Sequence, residues 1–389
     1  MFVEHPHAGA RRTANSSLSS TRRPIESTAD GRHLCVAADA WIATPRGPVP
    51  IAEVREGADV YVLEPTAGLR VARVASRRSA GVQQVLRIET AGRCVRVTAT
   101  QLVSTVVSKG KRDGAIRRRA AGELDKSDLI LCAEGYFAQD SAQSAELARV
   151  IGAFLGMGYI ERGRVGATVG AWDESHAEQY RALFERVFAG AGWEHGAGMV
   201  GGISCADPAV AAQLEQLGFV RAMEARVVPP WAFSLPREAK LALIAGYMDS
   251  AGRMARDSKK ALTGAGKINA QFCPRLVREL RELAIGAALD VSAIQYERPN
   301  DPTLSVRSVA LLSPASMAEL PCWDPHKHVT TTVAPLRVGP DKLGGLTLPP
   351  SAFAQKIKLV EPEPPVEVFA LEVEDAAGSF IADGVVLHH

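Results

Sequence analysis

VFALEVEDAAGSFIADGVVLHH, residues 368–389, alternates apolar and polar side chains and then runs apolar to two histidines, His388 and His389. The alternation predicts β structure running to the two histidines. Far upstream, CVAADAWIATPRGPVPIAEVREGADV, residues 35–60, has the same texture: short apolar runs broken by Gly and Pro, read as hairpins. VLRIETAGRCVRVTATQLVSTVV, residues 85–107, extends it, and a basic stretch read as an exposed loop follows at 109–123.

Between the two β ends the period changes. From about Ser141, SAELARVIGAFLGMGYI and EQYRALFERVFAGAG place apolar residues at three- and four-residue intervals, as helices do. PREAKLALIAGYMDSAG (236–252) and CPRLVRELRELAIGAAL (273–289) repeat the pattern, and Pro236 and Glu238 suit a first turn. Residues 313–350 are Pro-rich and weakly patterned, and β texture returns from Lys356. The order β, mixed α/β, β fits either separate small β domains or one β domain interrupted at a surface loop.

Composition narrows the classes. Apolar residues make up 47% of 389, enough for real cores, and 45 Lys and Arg against 43 Asp and Glu leave no global basic surplus for nucleic acid. Six scattered cysteines without a CxxC point to a reducing, cytoplasmic setting rather than a disulfide framework or zinc site. No apolar run is long enough to span a bilayer, so a membrane partner is not expected. Residues 1–34 lack an apolar core and read as a solvated leader.

The β ends resemble the two halves of an intein's self-splicing (Hint) domain, and the centre resembles a LAGLIDADG homing endonuclease of the DOD type. Cys35, Asp39, Thr44, Gly47 and the PIAEV run match the opening intein block. RCVRVTATQ resembles the second block, Thr-x-x-His, with Thr98 present and Gln101 at the histidine position. VFALEVEDAAGSFIADGVVLHH resembles the last two blocks, with Ala370 at a usually acidic or thiol position and His388-His389 where the family has His-Asn. The resemblance implies a mainly β Hint horseshoe, residues 35–137 and 313–389, interrupted by an α+β endonuclease domain of two pseudo-symmetric halves over 138–312. It also implies host-protein flanks (exteins) in cis as partners, a monomer, and a final strand that delivers the chain's last two residues beside its first.

The family's chemistry assigns roles. Cys35 would attack the Leu34 carbonyl to give a thioester, and Thr98 would orient that peptide. Gln101 donates through its amide but delivers no proton at neutral pH. His388 keeps the penultimate position, whereas His389 has no carboxamide and cannot cyclise to a succinimide. Splicing itself needs no cofactor.

In the centre, IGAFLGMGYI (151–160) and IAGYMDSAG (244–252) match the two motif helices, with Gly152, Gly156, Gly158, Gly246 and Gly252 as their glycines. The metal-binding acid positions hold Met157 and Ala251, neither of which can ligate the Mg2+ of the ancestral enzyme. Asp249 survives as an outer acid and reads as a helix-end or packing residue. Lys267 falls near a frequent catalytic lysine. Arg162, Arg164, Arg253, Arg256, Lys259 and Lys260 follow the motif helices, where saddle strands would face double-stranded DNA. The expectation is a self-splicing element with impaired splicing and lost DNA cleavage; the alternative is a DNA-binding derivative with the β ends as scaffold.

Overall fold

A computed structural model describes residues 34–108, 114–169, 174–195, 201–256, 262–270, 273–297, 307–327, 337–338 and 342–389. Lys259 and Lys260, and all of the leader but Leu34, lie outside the described residues.

The N-terminal β part holds β1 (Val36–Ala37), β2 (Trp41–Thr44), β3 (Gly47–Pro50), β4 (Asp59–Glu64), β5 (Gly68–Glu89), β6 (Cys94–Val97), β7 (Leu102–Ser108), β8 (Gly114–Ala120) and β9 (Leu129–Ala133). The centre opens with α1 (Ala145–Met157), β10 (Gly158–Glu161), β11 (Arg164–Thr168), α2 (Glu174–Val187), β12 (Glu194–His195), β13 (Gly202–Cys205) and α3 (Pro208–Gln216). After the short α4 (Pro230–Phe233) come α5 (Arg237–Ser250), β14 (Arg253–Arg256), β15 (Leu262–Ala270), α6 (Pro274–Gly286), β16 (Gln295–Glu297), β17 (Arg307–Leu312) and α7 (Pro314–Glu319). The chain finishes with β18 (Ala352–Lys356), β19 (Leu359–Val373), β20 (Ser379–Ala382) and β21 (Val385–His388).

Pairing excludes separate β domains. β19 runs antiparallel along β5 and also flanks β1, giving the order β19-β1-β6-β5-β4. The second sheet, β18-β9-β7-β21-β20-β2-β3, places the last strand β21 between β7 and β20. Strands from opposite ends of the sequence thus complete one another's hydrogen-bond ladders, which neither end could satisfy alone. Their buried apolar faces form one core, in which Val36, Ile42, Val103 and Ile130 meet Phe353, Leu371, Phe380 and Leu387.

The centre is an internal repeat. Each half runs α-β-β-α-β-β-α, and the two four-stranded sheets have corresponding orders, β10-β11-β13-β12 and β14-β15-β17-β16. The first helices of the halves, α1 and α5, pack directly on each other. Glycines set how closely: a Cβ on Gly152 would lie 2.0 Å from Leu243 O, and one on Gly246 would lie 2.1 Å from Arg149 O. Both obstacles are backbone, so a methyl there forces the helices apart. Gly246→Ala is expected to destabilise by about 1–3 kcal/mol through overpacking, outweighing the roughly 1 kcal/mol that alanine gains in helix propensity. A urea titration showing Gly246→Ala to be stabilised would mean that the helices do not approach this closely.

Two expectations need correcting. The basic stretch 109–123 is not a loop where it is described: Gly114–Ala120 is β8, paired with β7, and 121–123 is a 3-10 turn. The weakly patterned stretch after Ser313 begins with a helix, α7, capped by the Ser313 hydroxyl, which accepts from Ser316 N–H at 3.1 Å. Met317 of α7 lies against Gly266 of β15, so this piece packs with the second central half. The motif helices also stop earlier than their sequence matches, α1 at Met157 and α5 at Ser250, and Gly158 already belongs to β10.

Centre and β domain share a polar interface. Arg278 of α6 stacks on Trp41, 4.5 Å from the ring centroid, and its Nη2 lies 2.7 Å from Asp383 Oδ1 in the β20–β21 turn. Burial pushes the Asp383 carboxyl up, and Arg278 opposes that rise.

Candidate functional site

Cys35 precedes β1 and is fully buried with Val85 and Val368, against Ala80, Val366 and Ala370. In this apolar nest burial pushes the thiol up to about 11. Its backbone N–H, the nitrogen of the Leu34–Cys35 peptide, donates to Thr98 Oγ1 at 3.2 Å. Thr98 N–H returns a bond to Cys35 O at 3.0 Å. Thr98 is held here because β6 pairs with β1, Val97 opposite Val36.

From Thr98 the chain of bonds runs to the C-terminal strand. Gln101 N–H donates to Thr98 O at 3.0 Å, turning the backbone between β6 and β7. Gln101 is fully buried, and its Nε2 donates to Leu102 O at 3.0 Å and to His388 O at 2.6 Å. Both acceptors are carbonyls, so the amide nitrogen must face them, and Oε1 is left buried without a partner. The side chain is therefore spent on the His388–His389 peptide rather than on the Leu34–Cys35 peptide, where its sequence position suggested a role.

His388 ends β21, opposite Leu102 on one side and Ser379 on the other. Its Nε2 lies 2.7 Å from Ser104 Oγ and its Nδ1 3.3 Å from Ala377 O. Burial first, then the Arg118 guanidinium, lower its pKa to about 4. His389 is exposed, and its N–H donates to Gly378 O at 2.9 Å. Sequence reading named Cys35, Thr98, Gln101, His388 and His389, and the fold links all but His389 into one hydrogen-bonded path. It missed Ser104 and Arg118, whose only signal was nearness to Gln101 and to the basic stretch.

The His388 shift has a consequence for stability. Unfolded, the imidazole takes a proton near 6.5; folded, it does so only near 4. Above pH 6.5 both states are neutral and nothing changes. Between 6.5 and 4 only the unfolded state binds the proton, so stability falls as pH falls, by up to about 3 kcal/mol. His388→Gln should flatten that part of the pH–stability curve measured by urea unfolding; an unchanged slope would show that His388 ionises normally.

A second candidate site lies at the C-terminal ends of α1 and α5. Met157, Ser250, Ala251, Gly252, Arg253, Arg256, Asp324, His326 and Lys327 are among the residues lining a cavity of about 800 Å³. A Cβ on Gly156 would meet Ser250 Oγ at 2.5 Å and Ala251 Cβ at 3.0 Å, so the helix ends touch. Met157 is exposed, and neither it nor Ala251 offers oxygen to a hard cation. Asp249 does not substitute: it is buried, with Arg149 Nη1 at 3.1 Å, Tyr180 Oη at 2.8 Å and the N–H groups of Trp323 and Asp324 at 3.0 and 3.2 Å. Asp324 pairs with Lys327, whose ammonium also donates to Met248 O. Among the described residues no cluster of three His, Cys, Asp or Glu could hold a metal. The donor set therefore does not fit Mg2+.

The described basic candidates fall in two places. Arg253 and Arg256 of β14 line the cavity, and Lys267 of β15 sits opposite Arg253 in register. Arg162, in a left-handed turn with φ 49°, and Arg164, bonded to Ser204 Oγ, line a different groove beside Asp207, Glu215 and Arg221. No helix among the described residues is long and apolar enough to cross a membrane.

No protein-family model matches the chain. A SufBD-family iron–sulfur cluster assembly protein of Mycobacterium leprae is 26% identical over 307 residues, 69% of this chain. The chain spans about a third of that relative's length, 33%. Among solved structures, a variant of the Ssp DnaB mini-intein aligns over 91% of this chain and 97% of its own, with TM-score 0.31 and 9% identity. A DnaB intein from Synechocystis sp. aligns over 25% of this chain and 68% of its own, with TM-score 0.21 and 18% identity.

Proposed function

We propose that the β domain is an autoprocessing element of the intein type and that its central insertion descends from a LAGLIDADG endonuclease that no longer cleaves. The bond path Cys35–Thr98–Gln101–His388 is the observation that supports it most, because it closes the first residue of the opening block onto the penultimate residue of the last. A match of 307 residues covering a third of a longer relative is also what an element carried inside a host would give.

In the reaction that remains open, the Cys35 thiol loses its proton and Sγ bonds to the Leu34 carbonyl carbon. The Leu34–Cys35 C–N bond breaks, and the Cys35 nitrogen takes up a proton. Thr98 Oγ1, which accepts from that nitrogen at rest, can rotate and donate as the nitrogen becomes basic. The product is a thioester that an added thiol or hydroxylamine intercepts. Mass spectrometry of full-length protein treated in this way tests the reading: release of residues 1–34 supports it, and no release under any condition that leaves the protein folded opposes it. His389 offers no carboxamide for the cyclisation that ends splicing.

The paired helices with glycine contacts and the repeated α-β-β-α-β-β-α halves support the endonuclease ancestry. With Met157 and Ala251 at the acid positions, incubation with duplex DNA and magnesium should give no cutting above background, and Met157→Asp with Ala251→Asp is the minimum change for metal binding. Cutting by the unmodified protein would show that other residues bind the metal. Arg253 and Arg256 at the cavity favour a second reading, residual DNA binding, which gel-shift measurements across salt would reveal as a steep salt slope.

A further inference from the structure

Both ring nitrogens of His388 are engaged, and the partners fix where the proton sits. Ala377 O, 3.3 Å from Nδ1, can only accept, so Nδ1 is the protonated nitrogen. In the neutral ring Nε2 is then an acceptor, and the Ser104 hydroxyl at 2.7 Å is its donor. Ser104 is buried on β7, the strand that pairs with β21 and also carries the backbone next to Gln101.

The surroundings favour the neutral ring. A cavity of about 380 Å³ adjoins it, lined by apolar residues such as Leu63, Ile116 and Leu131 and by Arg117 and Arg118 of β8; none of its lining residues is acidic. Arg118 donates to the same Ala377 carbonyl at 2.6 Å. Burial, Arg118 and the adjoining His389 oppose protonation, against only the Ala377 and Gly378 backbone contacts.

We propose that Ser104 is a positioning residue for the C-terminal strand end: it holds His388 as the neutral Nδ1–H tautomer, and the anchored ring presents the His388 carbonyl to the Gln101 amide. The two roles are thereby divided. Gln101 fixes the carbonyl of the His388–His389 peptide, one residue before the bond the autoprocessing reading would have cut, and the histidine, at the position that reading gives to an acid–base group, is tied to Ser104 and acts through its backbone. Assigning this strand end to processing rests on the autoprocessing reading; the tautomer and its cause do not.

The test is ring ¹⁵N spectroscopy on full-length protein labelled at histidine, with His388→Gln identifying the signal. The native protein should show one protonated and one unprotonated ring nitrogen for His388, with Nδ1 protonated and no titration until well below pH 6. In Ser104→Ala the ring should become a mixture of tautomers, and its titration should move up by about one pH unit with loss of the bond to the neutral form. Ser104→Thr, which restores a hydroxyl, should return both properties. A proton on Nε2 in the native protein overturns the proposal without any variant, as does a Ser104→Ala spectrum and titration like the native one. Because this readout needs no processing, absent thiol release alongside the expected spectra would sink the autoprocessing reading alone.

Discussion

With dithiothreitol present, full-length protein is expected to release residues 1–34 slowly as a thioester, and Cys35→Ala to release none. Three features make the step slow. Burial holds the Cys35 thiol near 11, so little thiolate exists at neutral pH. Among the described residues the leaving nitrogen meets Thr98 Oγ1 rather than an acid. Gln101, at the position where the proposed intein resemblance has a histidine, is committed to two carbonyls. The rate should therefore rise about tenfold per pH unit below the thiol's pKa, as thiolate becomes available. Gln101→His should accelerate release by up to about 10²–10⁴, the usual worth of a general acid, provided the ring turns towards Cys35 rather than His388. Release that persists in Cys35→Ala would place the nucleophile elsewhere.

Asp249→Ala is expected to cost about 3–5 kcal/mol, the penalty for stranding a buried charge. The stranded group is Arg149, itself buried, whose guanidinium also stacks on Trp323 at 4.4 Å. Tyr180 Oη and the Trp323 and Asp324 N–H groups would lose their acceptor too. This one carboxylate joins α1, α2 and α5 to the segment after α7, so its loss should loosen residues 320–327 as well. The exposed Met157, two turns from Arg149 on the same helix, is the control: Met157→Ala should change stability by less than about 0.5 kcal/mol. Urea midpoints give both values. A change below about 1 kcal/mol for Asp249→Ala would mean that the network does not hold the helices together. Replacing Arg149 and Asp249 together by apolar residues should cost less than either single change, because no charge is then left buried alone.

The same aspartate shows what a motif residue leaves open. Its place in the second glycine-rich helix reads as a helix-end or packing residue, and its four hydrogen-bond partners show what it packs with. All four partners lie 69 to 100 residues away in sequence, at spacings no periodicity reports.

What the sequence determined by itself is local. Alternation marked the β ends, and three- and four-residue spacing marked α1, α5 and α6, because each signal lies within a few residues along the chain. That Met157, Ala251 and His389, at the positions the resemblance gives to two acids and an asparagine, carry neither carboxylate nor carboxamide was equally legible, since a side chain's functional groups do not depend on the fold. Only the tertiary structure decided pairing and partners. A period of two tells a strand which face is buried but not which strand lies beside it, so nothing local could place β21 between β7 and β20. Ser104 and His388, 284 positions apart, meet through that pairing alone. So do Gln101 and the His388 carbonyl, and with them the path from Cys35 to the end of the last strand.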